Sequence, residues 1–143
     1  MKGFLVDTNV ISEARKGNRA NRRLVAWIAA HRDELYLSVL VTGEIRRGIE
    51  SIRRRDSTAA GSLERWLREL ETTFEERILP VDAAVADRWG RLMAARPLPA
   101  IDGLLAATAL VHGLTLATRN VRDVAPSGVS AVNPFAALGP ERQ

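Results

Sequence analysis

The chain has no cysteine, which excludes a disulfide framework and any thiolate metal site and fits a reducing cytosol. Histidine is almost as scarce. Only His31 and His112 are present, and neither stands at metal-ligand spacing to another ligand, so no catalytic or metal-binding role is expected of either. His112 falls where a helix should end, a place that favours an imidazolium. Lysine is confined to Lys2 and Lys16, which leaves the positive charge to arginine. No apolar run is long enough to span a bilayer. The longest, residues 103–117, is cut by His112 and Gly113 and reads as a buried helix followed by a buried strand. The N-terminus enters a strand-like run without a basic region, apolar stretch and cleavage site, so no secretory leader is expected.

With 143 residues, the chain is long enough for one well-buried core and is expected to form a single domain over residues 1–137, with a frayed tail at 138–143. The formal charge is +4 and the pI about 10.6. Arginine grips phosphate bidentately and stacks on bases, so this balance suits RNA, or an acidic protein partner. GC-rich codon usage would produce the same arginine bias.

Short apolar runs alternate with helical stripes. Strands are expected at residues 3–6, 36–39, 78–81, 114–118 and 129–132. A helix should open at 9–13 and another span about 21–31, where Leu24, Trp27 and Ile28 share a face. Thr42 is a plausible N-cap for a third helix whose face carries Ile45, Ile49 and Ile52. Arg46, Arg47, Arg53, Arg54 and Arg55 lie largely off that face. Leu63, Trp66, Leu67, Leu70 and Phe74 make the clearest stripe. Asp82 reads as the N-cap of a helix carrying Val85, Trp89, Leu92 and Met93. Pro97 and Pro99 mark a loop, and the helix over about 101–112 should stop at Gly113 in a left-handed cap. This alternation predicts an α/β fold, a three-layer α/β/α sandwich on a mostly parallel sheet of about five strands.

Four acids occupy telling places. Asp7 closes the first strand and precedes Thr8 and Asn9. Glu44 follows the second strand, Asp102 opens the apolar helix, and Asp123 follows the fourth apolar run in TLATRNVRD. In an open parallel sheet these places lie along one edge, where ligands bind. Carboxylates gathered there repel, by roughly 4 kcal/mol for a pair 4 Å apart at an effective dielectric of 20. The cluster therefore needs a divalent cation, or some members must hold protons. Magnesium suits carboxylate and water oxygens, and such ions can activate water and hold a scissile phosphate. Taken singly, an Asp at a strand end is more often a cap. Asp82 and Asp87 are read that way.

The segments LVDTNVISE, LSVLVTGEIRRG and DGLLAATALVHGLTLATRNVRD, with NPF after the last strand, resemble the PIN-domain family. More narrowly, they resemble VapC-type toxins of type II toxin–antitoxin pairs in the FitB-like branch. The likeness runs in order along nearly the whole chain. It implies an endoribonuclease dependent on Mg²⁺ (or Mn²⁺), with Asp7, Glu44, Asp102 and Asp123 as metal ligands and catalytic acids. Some FitB-like members carry the fourth acid at the position of Asn120, and here Val124 stands where the family often has Phe. Asn9, Thr118 and Asn120 match positions that orient carboxylates or water; each could equally cap a turn. Arg46 and Arg47 are candidate RNA contacts or a solvated face, and Glu13 of the ISE pattern reads as structural or interfacial. The likeness further implies a cytoplasmic protein, a VapB-like antitoxin partner that pushes a basic residue into the acidic pocket, and a homodimer.

Two other chemistries are disfavoured. A haloacid-dehalogenase phosphatase wants a second Asp where Asn9 stands and a later lysine, and a receiver domain wants the same lysine; none follows Lys16. The remaining alternative is a PIN-fold module that binds a partner with weak or no turnover.

Overall fold

Five short strands form one all-parallel sheet in the order β3-β2-β1-β4-β5. The structure is a computed structural model and describes residues 2–136. The strands are β1 (Phe4–Val6), β2 (Leu35–Ser38), β3 (Ile78–Leu79), β4 (Thr115–Ala117) and β5 (Ala131–Val132). Between them run α1 (Thr8–Ala14), α2 (Arg22–His31), α3 (Val39–Arg53), α4 (Ser57–Thr73), α5 (Ala83–Ala95), α6 (Ala100–His112) and α7 (Val121–Val124). Helices cover both faces of the sheet, which gives the expected three-layer α/β/α sandwich.

The central strand is the first. Leu5 pairs in register with Tyr36 on one side and Leu116 on the other. From β1 the chain moves outward through β2 to β3, then crosses back to add β4 and β5 on the other side. The direction of winding therefore reverses at β1, and the crevice beside its C-terminal end is the place where such sheets bind ligands. Strands covered on both faces read as continuous apolar runs. Accordingly Leu5, Val6, Leu37, Leu116 and Ala117 are all buried.

The helices follow from their apolar stripes and caps. Asn21 caps α2 by accepting from the Leu24 N–H at 3.1 Å, Asp56 caps α4 from Ala59 at 2.9 Å, and Asp82 caps α5 from Val85 at 3.0 Å. Each such cap satisfies a donor that the helix leaves orphaned. α3 and α4 pack as a hairpin, with Ile45 and Ile49 of one and Ala60 and Leu67 of the other in the core. A half-buried ion network, Arg46 and Arg53 against Glu50 and Glu64, runs along this pair. α6 is apolar on nearly every side and largely buried, as befits a helix packed between the sheet and α5. It stops at Gly113, whose φ of +67° is the left-handed cap. Gly3 has φ +148°, and a Cβ there would lie 2.5 Å from the Glu34 carbonyl oxygen. Only glycine lets the chain enter β1 this close to the turn before β2.

Some boundaries differ from expectation. α3 begins at Val39, one residue after β2, and Ser38 caps it by accepting from the Leu40 N–H at 3.0 Å. Thr42 is already inside the helix, where its hydroxyl donates to the Val39 carbonyl. The third strand ends at Leu79, because Pro80 cannot extend the ladder. α7 gave no periodic signal, being one turn long. The tail expected to fray, 138–143, lies outside the described residues.

Candidate active site

The site grows from the end of β1. The Asp7 N–H still donates to the Ala117 carbonyl at 2.9 Å, as the last rung between β1 and β4. Its side chain then caps α1. Oδ1 accepts from the Thr8 N–H at 2.7 Å, and Oδ2 from the Thr118 hydroxyl at 2.8 Å and the Asn9 amide at 3.4 Å. The carboxylate is fixed from three directions and is only 9% exposed. Burial pushes it above the ordinary carboxylate range. The Thr118 and Thr8 hydrogen bonds pull it back, and the charge of Glu44 pushes it up again.

Thr118 and Asn9 tie the neighbouring backbone to this acid. The Thr118 hydroxyl oxygen accepts from the Asn120 N–H at 3.0 Å, and Asn9 Oδ1 accepts from the Arg119 N–H at 3.2 Å. Asn9 Nδ2 lies 3.5 Å from Thr118 Oγ1. The loop after β4 is thereby laced to the start of α1. Asn120 itself caps nothing with its side chain and is exposed.

Glu44 reaches the same neighbourhood from the second turn of α3, where its Oε1 accepts the Thr8 hydroxyl. Asp102 stands in the first turn of α6, half-buried. The next residue, Gly103, is pressed against α5. A Cβ there would sit 2.9 Å from Met93 Sδ and 3.2 Å from Trp89 Nε1, so the start of α6 is held close to α5. Asp123 lies in the first turn of α7, exposed, with its N–H donating to the Asn120 carbonyl at 3.0 Å. Asp7 and Asp102 stand at helix N-termini, where the dipole favours an anion.

The four acids share one electrostatic neighbourhood. The Asp102 carboxyl is raised above its ordinary range, first by burial and then by the charges of Asp7, Asp123 and Glu44. They are nevertheless not drawn into contact: among the described residues, no three acids or histidines stand close enough to form a ready ligand set. The donor chemistry suits a hard divalent cation, since every donor is oxygen. Asp7 and Asp102, both raised by burial and by neighbouring carboxylates, have a charge problem that such an ion would relieve.

The raised Asp102 carboxyl has a consequence for stability against pH. A carboxyl whose folded pKa is raised weakens the fold while ionised and ceases to do so as pH falls through that pKa. Asp102→Asn removes the charge at every pH. In metal-free protein the variant is expected to melt above the wild type at neutral pH. The gap should close on acidification, as Asp102 in the wild type takes up its proton. Paired thermal melts across the acid range check this, and a gap that widens toward low pH would contradict it.

The other candidates are dispersed. Arg46 is held by Glu50 at 3.0 Å and Glu64 at 3.1 Å, whereas Arg47 is exposed and makes no ion pair among the described residues. Glu13 pairs with Lys16 at 2.9 Å and accepts from the Asn21 N–H at 2.9 Å, bracing α1 against the start of α2. His31 packs edge-on against Phe4 and contacts Glu34 at 2.8 Å. His112 buries its Nε2 without a hydrogen-bond partner among the described residues. Asp87 pairs with Arg91 at 2.9 Å. Two residues of this neighbourhood were not singled out by spacing alone. One is Thr8, the link between Asp7 and Glu44; the other is Arg119, whose guanidinium lies 3.9 Å from the centre of the Phe135 ring.

The family model for the PIN domain matches residues 4–123. Over 140 residues the chain is 33% identical to Toxin FitB of Neisseria gonorrhoeae, covering 92% of this chain and 98% of that protein. It is equally 33% identical to VapC ribonuclease Y4jK of Sinorhizobium fredii, covering 92% and 97%. Among solved structures, FitAB bound to an IR36 DNA fragment superposes with a TM-score of 0.85 at 30% identity, over 96% of this chain and 99% of that one. A toxin–antitoxin complex from Klebsiella pneumoniae gives 0.70 at 25% identity, over 92% and 98%.

Proposed function

The chain belongs to the PIN domain family, and from that premise we propose that it is a metal-dependent endoribonuclease, the toxin of a type II toxin–antitoxin pair. The observation that carries this reading is the gathering of Asp7, Glu44, Asp102 and Asp123 into one field at the sheet's switch point. A relative named as a ribonuclease of VapC type supports the activity, and relatives that are toxins or form toxin–antitoxin complexes support the biological role.

Asp7, Glu44 and Asp102 would hold Mg²⁺, or Mn²⁺, with Asp123 at the open side of the pocket. When bound, the cation supplies positive charge that lowers the pKa of water and offsets charge at the phosphate. The chain's own residues do the positioning. Thr118, Asn9 and the Thr8 N–H fix the orientation of the Asp7 carboxylate, and the Thr8 hydroxyl fixes Glu44. The carboxylates are hydrogen-bond acceptors for the attacking water, which approaches phosphorus in line with the leaving oxygen. Products should carry 5′-phosphate and 3′-hydroxyl ends. Ends with 2′,3′-cyclic phosphate would mean that the RNA's own hydroxyl attacks.

The partner in this reading is a VapB-like antitoxin, and the free toxin a cytoplasmic homodimer. Beside Glu44 runs a groove of about 200 Å³ lined by Ile45, Ile52, Leu63 and Trp66. An apolar segment seated there would lead its neighbouring residues straight to the acids, as an inhibitor of this site must. Among the described residues no helix is long and apolar enough to cross a membrane.

The test is cleavage of total cellular RNA by purified, antitoxin-free protein with Mg²⁺ or Mn²⁺, with EDTA, and with the Asp102→Asn variant alongside. Discrete cuts that require both metal and Asp102 support the reading. Folded protein that binds metal but makes no cuts would leave a partner-binding module in its place.

A further inference from the structure

Four like-charged acids at the mouth of the site repel the polyanion that the proposed activity must bind. Positive charge has to stand nearby; several arginines are committed to other partners, while Arg47 and Arg122 are exposed without an ion pair among the described residues. Arg46 and Arg53 are shared between Glu50 and Glu64, and Arg15 lies over Trp66 and donates to Ser62. Arg119 differs from all of these in its tie to the Asp7 carboxylate. It lies between Thr118, which binds Asp7, and Asn120, and its own N–H is held by Asn9. Two hydrogen-bonded links therefore join its backbone to the Asp7 carboxylate. It is exposed and makes no ion pair within 4 Å among the described residues.

Its head nonetheless rests on an aromatic ring. The guanidinium lies 3.9 Å from the ring centre of Phe135. That ring is only 8% exposed, and its own backbone is fixed by an Asn133 cap, with the Phe135 N–H donating to Asn133 Oδ1 at 2.9 Å. Stacking on an aromatic face leaves the guanidinium's other face and its N–H edge toward solvent. An arginine seated over a ring in this way can take a phosphate on its edge or a base on its free face. Next to it, a cleft of about 240 Å³ opens between the start of α7 and the end of β5, lined by Val121, Val132 and Asn133.

We propose that Arg119, stacked on Phe135 at the C-terminal edge of the sheet, is the residue that grips single-stranded RNA beside the acids and directs the strand along the β5 side. The inference rests on the ribonuclease reading. It also explains the NPF turn, in which Phe135 is the rigid platform that keeps the guanidinium aimed.

The experiment measures binding of a short labelled single-stranded RNA of mixed sequence, in the Asp102→Asn background so that the probe survives, across a salt series with Mg²⁺ present. Loss of one charge-assisted contact in Arg119→Ala should raise Kd roughly tenfold at low salt. It should also flatten the slope of log affinity against log salt by about 0.7. Arg119→Lys keeps the charge but loses the planar stack, so it should retain the slope and bind more weakly. Phe135→Leu, which keeps an apolar side chain in place, should behave like Arg119→Lys. With Asp102 restored, Arg119→Ala should raise KM with kcat nearly unchanged. A merely structural role would shift melting temperature without touching the salt slope. Wild-type-like affinity and slope in Arg119→Ala, beside a parent that does bind RNA, would overturn this inference alone. A parent that binds no RNA would overturn it together with the ribonuclease reading.

Discussion

Replacing Asp7 by Asn is expected to abolish RNA cleavage while leaving the fold intact and the metal-free protein more heat-stable. The substitution is nearly isosteric, and Asn is as good an N-cap as Asp. The Thr8 N–H thus keeps its acceptor. On the other side the Thr118 hydroxyl, which now donates at 2.8 Å, can rotate to accept from the new amide. What vanishes is a buried negative charge that Glu44 and burial both oppose. Stability should therefore rise at neutral pH while cleavage falls by more than ~100-fold, beyond the range for residues that only orient a metal ligand. Initial rates on a defined RNA, with far-UV circular dichroism and thermal melts of the same preparations, decide the matter. A variant that keeps most of its activity would remove Asp7 from the site.

The second large effect lies two residues earlier. Leu5→Ala should lower the free energy of unfolding by about 2–5 kcal/mol, the range for truncating a buried leucine. Leu5 is fully buried in the middle strand, in register with both Tyr36 and Leu116. A cavity there has packed sheet on both sides and cannot collapse by moving a surface element. The urea midpoint should fall with its slope unchanged, and the melting temperature should drop on the order of 10 °C. A loss below about 1 kcal/mol would mean that the layers close over the gap, which central β1 makes hard.

Much of this architecture could be read from residue order, because its signals are local. Asp82 before an apolar stripe, Gly113 after one, and Ile45 with Ile49 on a helical face each depend on neighbours within a few residues. The ends marked by Asp82 and Gly113 lie within a residue of expectation, while the Ile45 and Ile49 helix exists as expected but begins at Val39, four residues early. Local signals failed where length failed. α7 has a single turn and no stripe, and β3 is cut to two residues by Pro80. Caps compete too: Thr42 looked like a helix start, but Ser38 came first in the chain and took the role. The acids were conspicuous because their places relative to strands and helices were unusual. Their supports were not, since the Thr8–Glu44 bond spans 36 positions and the Asn9–Arg119 bond 110. Nothing near Arg119 in the chain hints at Phe135, since only the turn after β5 brings that ring beneath it.

The acids of this site are contributed by segments as far apart as Asp7 and Asp123, and the bond that orients the first of them arrives 111 residues later, from Thr118. The N-terminal strand waits at the middle of the sheet for a neighbour made near the end of synthesis. At ~5–20 residues per second, the interval between making Asp7 and making Asp123 is roughly 6 to 23 s. If the four acids form the proposed active centre, the growing chain would hold only part of it throughout that interval. The proposed activity would then be switched on once, late, by completion of the sheet. A fragment broken off before β4 would be inert, however well its first helices formed.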